Sequence, residues 1–551
     1  GKGDAVIAGS KTIAGPWQKA STADVPERMS PDNIWFIDIE MPRAPQNQVP
    51  PSVRQNFKVP GVGRYLADMI LFEVASNGAI TDLHIASDAG WHLTNPNFAM
   101  HHWNQWDGEK DMNGGTGEED IQGYDDALIG LEPDYFDGGT LWSQYGWIIG
   151  TPSPYIIKPG DYDPEKGILA HRNMAHPTHQ GTRYLIENLP QFLDNPGEYY
   201  FDEDYSNESG RLFLRLPADR DPNKSQIEMS TAWNSMQIHN QQHIEISGLT
   251  FRFNGRNGAA IDIDKNSSNI TIKHCTFDHM ASDAIYGRVS ANEIMKNMTV
   301  TDCDFYRING GTAICFQGHS GNFREGEQLG ILDEVTILRN RTRETGIYRH
   351  HDSRWSNVPA IVANYCRKAE IAGNIIQTAF GSGIVAQGGK SGKDEQGYEI
   401  PLIRILVHHN KIEYTALGAN DYGGLSLWQH GPMYSYSNIV GNAVGHWPGG
   451  FGGRGSINLS YPIYLDAGFR VFNFNNISWA RPYKKDDPYT SDRSAYFNVF
   501  GYLNPFVNNT VYGSGVALGG TSGNRNDYLG NIFTNITQKF ISVNHGGNPS
   551  L

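Results

Sequence analysis

The chain has 551 residues, of which 19% are charged, with 62 Gly, 28 Pro, 27 Tyr, 12 Trp and a formal net charge of −15. That balance excludes low-complexity disorder and argues against nucleic acid or an anionic membrane surface as partner, since both demand basic patches. It also disfavours a highly anionic polymer unless a local basic groove overrides the mean, and no apolar run approaches the roughly 20 residues that span a bilayer.

The composition fits an extracellular all-β protein: secreted, periplasmic or on the outer cell surface. No secretory signal is present, although the chain opens abruptly at Gly1 and its natural start can lie upstream.

In chain order, Ala5-Val6-Ile7-Ala8-Gly9 reads as a solenoid strand. From Pro16 to about Pro222 the regularity vanishes, and irregular strands alternate with long polar loops. The expected organisation is an opening strand over 1–15, an inserted or N-terminal β-rich domain (sandwich- or barrel-like) over 16–222, and a parallel β-helix catalytic domain over 223–551. Within the insertion, Trp106 to Asp126 carries Asp107, Glu109, Asp111, Glu118, Glu119, Asp120, Asp125 and Asp126 among glycines. Such carboxylates can hold structural calcium, but their spacing is not that of an EF-hand, and a solvated acidic loop is the favoured reading. His171, His176 and His179 match no zinc spacing, so no metal ligands are assigned and no cofactor is required. Gly181 to Pro217 combines a Pro-Gly turn, a strand, an acidic turn and another strand, which predicts a hairpin.

After residue 222 short apolar runs recur. Asn340, Asn374, Asn410, Asn442, Asn476 and Asn509 each sit in such a run, at a spacing in the roughly 20–50-residue range of solenoids. Ile244 to Phe251, Ile270 to Phe277, Met298 to Phe305 and Ile405 to Ile412 alternate apolar and polar residues with many β-branched side chains, the pattern of a half-buried strand. In the early coils Leu249, Cys275 and Cys303 take the asparagine position. These two thiols are expected to be small buried groups, as free cysteine usually is. Each coil carries a second strand, so the predicted fold is all-β, a right-handed parallel β-helix.

Side chains alternate in and out along each second strand. With apolar residues inward, one outward position yields the column Asp264, Arg288, Gln317, Asn364, Gln387, Trp428 and Asp466. Stacked at about 4.8 Å, these residues predict a continuous polar groove, suited to an oligo- or polysaccharide whose hydroxyls need fixed partners and whose apolar face stacks on a ring. An ordinary solvated sheet face is the alternative. Two acidic segments tilt the balance: Asn420-Asp421-Tyr422-Gly423-Gly424 and, one coil later, Tyr464-Leu465-Asp466-Ala467-Gly468. Glycosidic hydrolysis commonly uses two carboxyl groups, one protonated and one ionised, and Asp421 with Asp466 is the candidate pair. Gln387, Trp428, Gln429, His430 and Asn364 are the candidate substrate contacts beside it, with His350, His351 and Arg354 in a loop between coils. Glu344, Asp283 and Glu413 are the reserve acids.

The order of parts resembles the β-helical glycoside hydrolases of families 141 and 120, exo-acting fucosidases, xylanases or xylosidases with a β-rich domain inserted in a β-helix. The resemblance rests on Val6-Ile7-Ala8-Gly9 with Ile13-Ala14-Gly15-Pro16-Trp17, on Arg183-Tyr184-Leu185-Ile186-Glu187-Asn188-Leu189-Pro190, on Leu193-Asp194-Asn195-Pro196-Gly197-Glu198, and on the coils that follow. It implies that Asp421 and Asp466 are counterparts of the family acids. The doubled acids of the relatives are reduced here, since Asn420 precedes Asp421 and Ala467 follows Asp466. Two rival readings stay open: a polysaccharide lyase on the same scaffold, with Arg288, Arg349, Arg354 or calcium neutralising a uronate, and a non-catalytic carbohydrate-binding β-helix protein.

Overall fold

The computed structural model describes residues 5–40, 70–88, 104–109, 121–143, 153–171, 183–204, 209–255, 258–290, 293–318, 330–346, 358–388, 392–393, 399–400, 404–417, 422–443, 460–480, 494–499, 501, 503–521 and 526–544. Val6–Ala8 and then the strands from Met236 onward, apart from the antiparallel pair Gly392–Lys393 with Glu399–Ile400, stack in parallel, coil upon coil, into a β-helix. One sheet holds 11 strands and a second holds 19. The second is two faces joined at a bend, because the 14-residue strands Gly423–Tyr436 and Tyr461–Phe474 each run through both. Each coil thus offers three strands: a first face such as Ala259–Asp264, a second such as Ser268–Lys273, and a third such as Thr276–Met280.

The alternation read from the sequence decides what lies inside. Ile261, Ile285, Ile314, Ile361, Ile384, Leu425 and Ile463 are paired coil to coil and fully buried in one continuous core. Phe251, Phe277 and Phe305 stack in the same core, with centroids 5.0 and 4.8 Å apart. Ring faces meeting at the inter-coil spacing add aromatic attraction to plain area burial.

The asparagines form a buried ladder at the corner between the second and third faces. The backbone N–H of Asn340 donates to Asn374 Oδ1 at 2.9 Å, Asn374 to Asn410 at 3.0 Å, Asn410 to Asn438 at 3.1 Å, and Asn438 to Asn476 at 3.0 Å. Asn509 and Asn531 continue the series. From Asn340 to Asn509 each Nδ2 donates to the next Oδ1 and to a backbone carbonyl, for example Asn374 Nδ2 to Asn410 Oδ1 and to the Ile337 carbonyl, both at 3.0 Å. The ladder member after Asn410 is therefore Asn438, correcting the expectation of Asn442. The reason is geometric. Every column of a solenoid repeats with the same period, and Asn442 belongs to another one: its left-handed backbone (φ 50°) aligns it with Arg307, Glu344 and Tyr414 on the third face. The true ladder residues each follow a left-handed residue: His274, Asp302, Arg339, Gly373, His409, Ser437, Asn475, Asn508 and Gly530, with φ between 51° and 67°. Cys275 and Cys303 occupy ladder positions as free, buried thiols, and Cys303 N–H donates to Asn340 Oδ1 at 3.0 Å.

Between Val6–Ala8 and Met236 the described strands build four smaller, largely antiparallel sheets around two apolar cores. Glu198–Asp204 pairs with Ser209–Arg215 as an antiparallel hairpin. This region is tied to the β-helix by Phe72, which packs on Phe253 at 4.6 Å. Buried Asp82 is the polar tie, bonded to Arg307 Nη1 at 3.0 Å and Asn309 Nδ2 at 2.6 Å.

Replacing Asn374 by Ala strips two N–H groups of Asn340 of their acceptor and the Ile337 carbonyl of its donor. At about 1–3 kcal/mol per buried unsatisfied group, Asn374→Ala should cost about 3 kcal/mol, read as a lower urea midpoint. Asn374→Cys should cost less, because a thiol serves at the same corner in Cys275 and Cys303.

Candidate functional site

The outward column on the first face is in register throughout. His239 pairs with Asp264, Arg288 with Gln317, Gln317 with Asn364, Asn364 with Gln387, Gln387 with Trp428, and Trp428 with Asp466. Asp264 and Arg288 follow the paired Ile263 and Gly287, and their side chains approach to 4.0 Å. Val499, Thr521 and Asn544 extend the column beyond Asp466.

The column is continuous, but it is not the open groove expected. Asn364 and Gln387 are buried, whereas Trp428 remains 36% exposed. Strand alternation dictates that these side chains leave the β-helix core, not that solvent reaches them. Gln387 Nε2 donates to the Tyr365 hydroxyl at 3.0 Å. Tyr365 turns that way because it sits in the left-handed region (φ 55°), at the bulge where the pairing shifts between Asn364 and Cys366. The sequence held no signal for Tyr365, since the bulge arises from a register shift between two strands. Asn364 Oδ1 and Nδ2 and Gln387 Oε1 are buried without a hydrogen-bond partner among the described residues, so this stretch carries polar capacity that those residues do not use.

Asp466 is half-buried on the coil after Trp428. Burial raises its pKa above the ordinary aspartate value of 3.8, because removing water penalises the charged form. The strand is pinned just beyond it: Asn504 Nδ2 donates to the Gly468 carbonyl at 3.0 Å and Asn504 Oδ1 accepts from the Val471 N–H at 2.9 Å. On the preceding coil Gly423 stands opposite Tyr461, and its N–H donates to Ser426 Oγ at 2.8 Å. Asp421, His350, His351 and Arg354 lie outside the described residues, as do Arg349, His176 and His179. Gln429 and His430 continue the Gly423–Tyr436 strand, with their side chains outside the description.

The three reserve acids have structural partners. Asp283 Oδ1 accepts from the Thr312 N–H at 2.6 Å, Glu344 meets Arg307 Nε at 3.1 Å, and Glu413 meets Lys411 at 3.0 Å. In the acidic stretch, residues 110–120 are outside the description. Of the rest, Asp107 accepts from the Asp126 N–H at 2.9 Å, while Asp125 accepts from the Ala127 N–H at 2.8 Å and the Tyr184 hydroxyl at 2.6 Å. Chemically, Asp466 offers a carboxyl with a raised pKa one coil from an exposed indole, in a row that also holds the amides of Asn364 and Gln387.

No family model matches this chain, and no curated protein matches it. Among solved structures, one described as a glycoside hydrolase is similar over 98% of this chain and 83% of its own, at 14% identity and a TM-score of 0.54. At that identity the likeness shows a shared fold. The surface protein and adhesin PfbA of Streptococcus pneumoniae covers 55% of this chain and 77% of its own, at 16% identity and a TM-score of 0.23. The catalytic domain of a GH87 alpha-1,3-glucanase in complex with nigerose covers 87% and 98%, at 10% identity and a TM-score of 0.26. Scores this low carry no weight for the fold.

An Asp whose folded-state pKa is raised costs nothing below its unfolded value and penalises folding once it ionises. Asp466→Asn should therefore melt a few degrees higher than the parent at pH 7. The gap should close as pH falls through the raised pKa toward 3.8, measured by thermal unfolding across pH.

Proposed function

We propose that this chain is a glycoside hydrolase acting on a complex polysaccharide of plant, algal or host origin, with Asp466 as one of its two catalytic carboxyls and Asp421 as the other. The observation that carries the reading is the placing of Asp466, a half-buried carboxyl with a raised pKa, one coil step from the exposed Trp428 ring in a row of hydrogen-bonding side chains. The similar fold of the structure described as a glycoside hydrolase supports the activity class.

In this reading Asp466, whose pKa burial raises, acts as the general acid and delivers a proton to the glycosidic oxygen as the bond breaks, and Asp421 acts as nucleophile or as base for water. Trp428 stacks on the apolar face of a sugar, while Asn364 and Gln387 hold hydroxyls. Gln429, His430, His350, His351 and Arg354 complete the substrate contacts. The two carboxyls need no cofactor. Exo-action on chain ends or short branches is part of the proposal, as is a location outside the cytoplasm, where such polymers are met.

The test is mass spectrometry of products from neutral, sulfated and uronate-containing glycans, with the parent chain compared against three variants. Hydrolysis adds one water to the products. Asp466→Asn and Asp421→Asn should each slow it by about 10²–10⁴-fold, the usual worth of general acid–base catalysis. Trp428→Ala should raise KM up to about tenfold, as losing a 0.5–1.5 kcal/mol ring contact would. Unsaturated products would instead establish a lyase, and no products on any glycan would leave a binding protein.

A further inference from the structure

At the far end of the same column, three side chains of two adjacent coils converge. His239 ends the strand Met236–His239, and Asp262 and Asp264 lie two residues apart on Ala259–Asp264, so both carboxylates leave the same face. His239 stands opposite Asp264 in register and diagonal to Asp262, which pairs with Gln237. His239 Nε2 is 3.5 Å from Asp264 Oδ1 and 3.8 Å from Asp262 Oδ2. One ligand atom from each residue can be chosen so that all three lie within 4.8 Å of one another.

The spacing is informative because no direct hydrogen bond has closed. A charge-assisted N–H to carboxylate bond would draw the atoms to about 2.7–2.9 Å. Here His239 Nε2, Asp262 Oδ1 and Asp264 Oδ1 are all buried and all lack a hydrogen-bond partner among the described residues. The Asp262 side chain is only 7% exposed, and burying a carboxylate oxygen without a partner is costly. Two atoms that each sit about 2.1 Å from one tetrahedral ion stand about 3.4 Å apart, near the distances found. Arg288 lies 4.0 Å from the other oxygen of Asp264, leaving Oδ1 for the cluster.

We propose that His239, Asp262 and Asp264 bind one divalent transition-metal ion of the zinc class. The imidazole nitrogen selects this class over calcium or magnesium, which take oxygen ligands. Three protein ligands leave a coordination position for water or for an anionic group of a bound polymer. Six coil steps of about 4.8 Å put the ion about 29 Å from Asp466, so it stands apart from the hydrolytic centre and does not depend on the proposed activity.

The test is calorimetric titration of chelator-treated full chain with Zn²⁺, and of a second sample with Co²⁺ followed by visible absorption. The parent should bind about one Zn²⁺ saturably and give cobalt bands. His239→Gln and Asp262→Asn should each weaken binding at least tenfold and abolish the bands, while melting within a few degrees of the ion-free parent. Absence of saturable binding by the parent would overturn the proposal, as would undiminished binding in both variants. Calcium binding with equal strength and no response to His239→Gln would overturn the assignment to the zinc class.

Discussion

The structure depends on satisfying buried amide groups at one corner of every coil. A solenoid has to turn there, and turning removes backbone N–H and C=O groups from the regular ladders of its sheets. Asparagine answers that need with one acceptor and two donors, and the row from Asn340 to Asn531 uses them coil after coil. Because Oδ1 of one residue receives the N–H of its neighbour on the adjacent coil, a slip of one coil by one residue would break contacts on both sides. The buried corner therefore locks the register, and the locked register aligns every outward column on the first face, including the one that carries Trp428 and Asp466.

That dependence explains what could be read from the chain. A buried polar ladder leaves a periodic mark, so the fold class and the coil strands were legible. The alternation of Ile261-Asp262-Ile263-Asp264 and its equivalents predicted which side chains share a column. Periodicity alone does not separate one column from another, so the sequence pattern points to Asn442 where the ladder holds Asn438. Only the left-handed residue before each ladder member distinguishes them, and His, Asp, Arg, Ser, Asn and Gly all serve there.

The site was less legible. Burial of Asn364 and Gln387 depends on what lies over the outer face, and strand alternation carries no information about that. The raised pKa of Asp466 likewise follows from burial rather than from a neighbouring charge in its motif. The cluster of His239, Asp262 and Asp264 has no motif at all, because its members come from facing positions on two coils and pair through register rather than through sequence spacing. Side chains that act through stacking are visible only once the stack is built.

Successive ladder steps differ in length, 28 residues between Asn410 and Asn438 and then 38 between Asn438 and Asn476, yet the hydrogen bonds at those steps stay near 3 Å. A ten-residue difference between successive coils is absorbed entirely outside the corner. Coils of this chain thus behave as interchangeable cassettes: their connecting segments can lengthen and diversify, while duplication of one whole coil would add a rung to the outer column without disturbing those on either side. Evolution can rewrite the surroundings of such a column segment by segment and leave its spacing untouched.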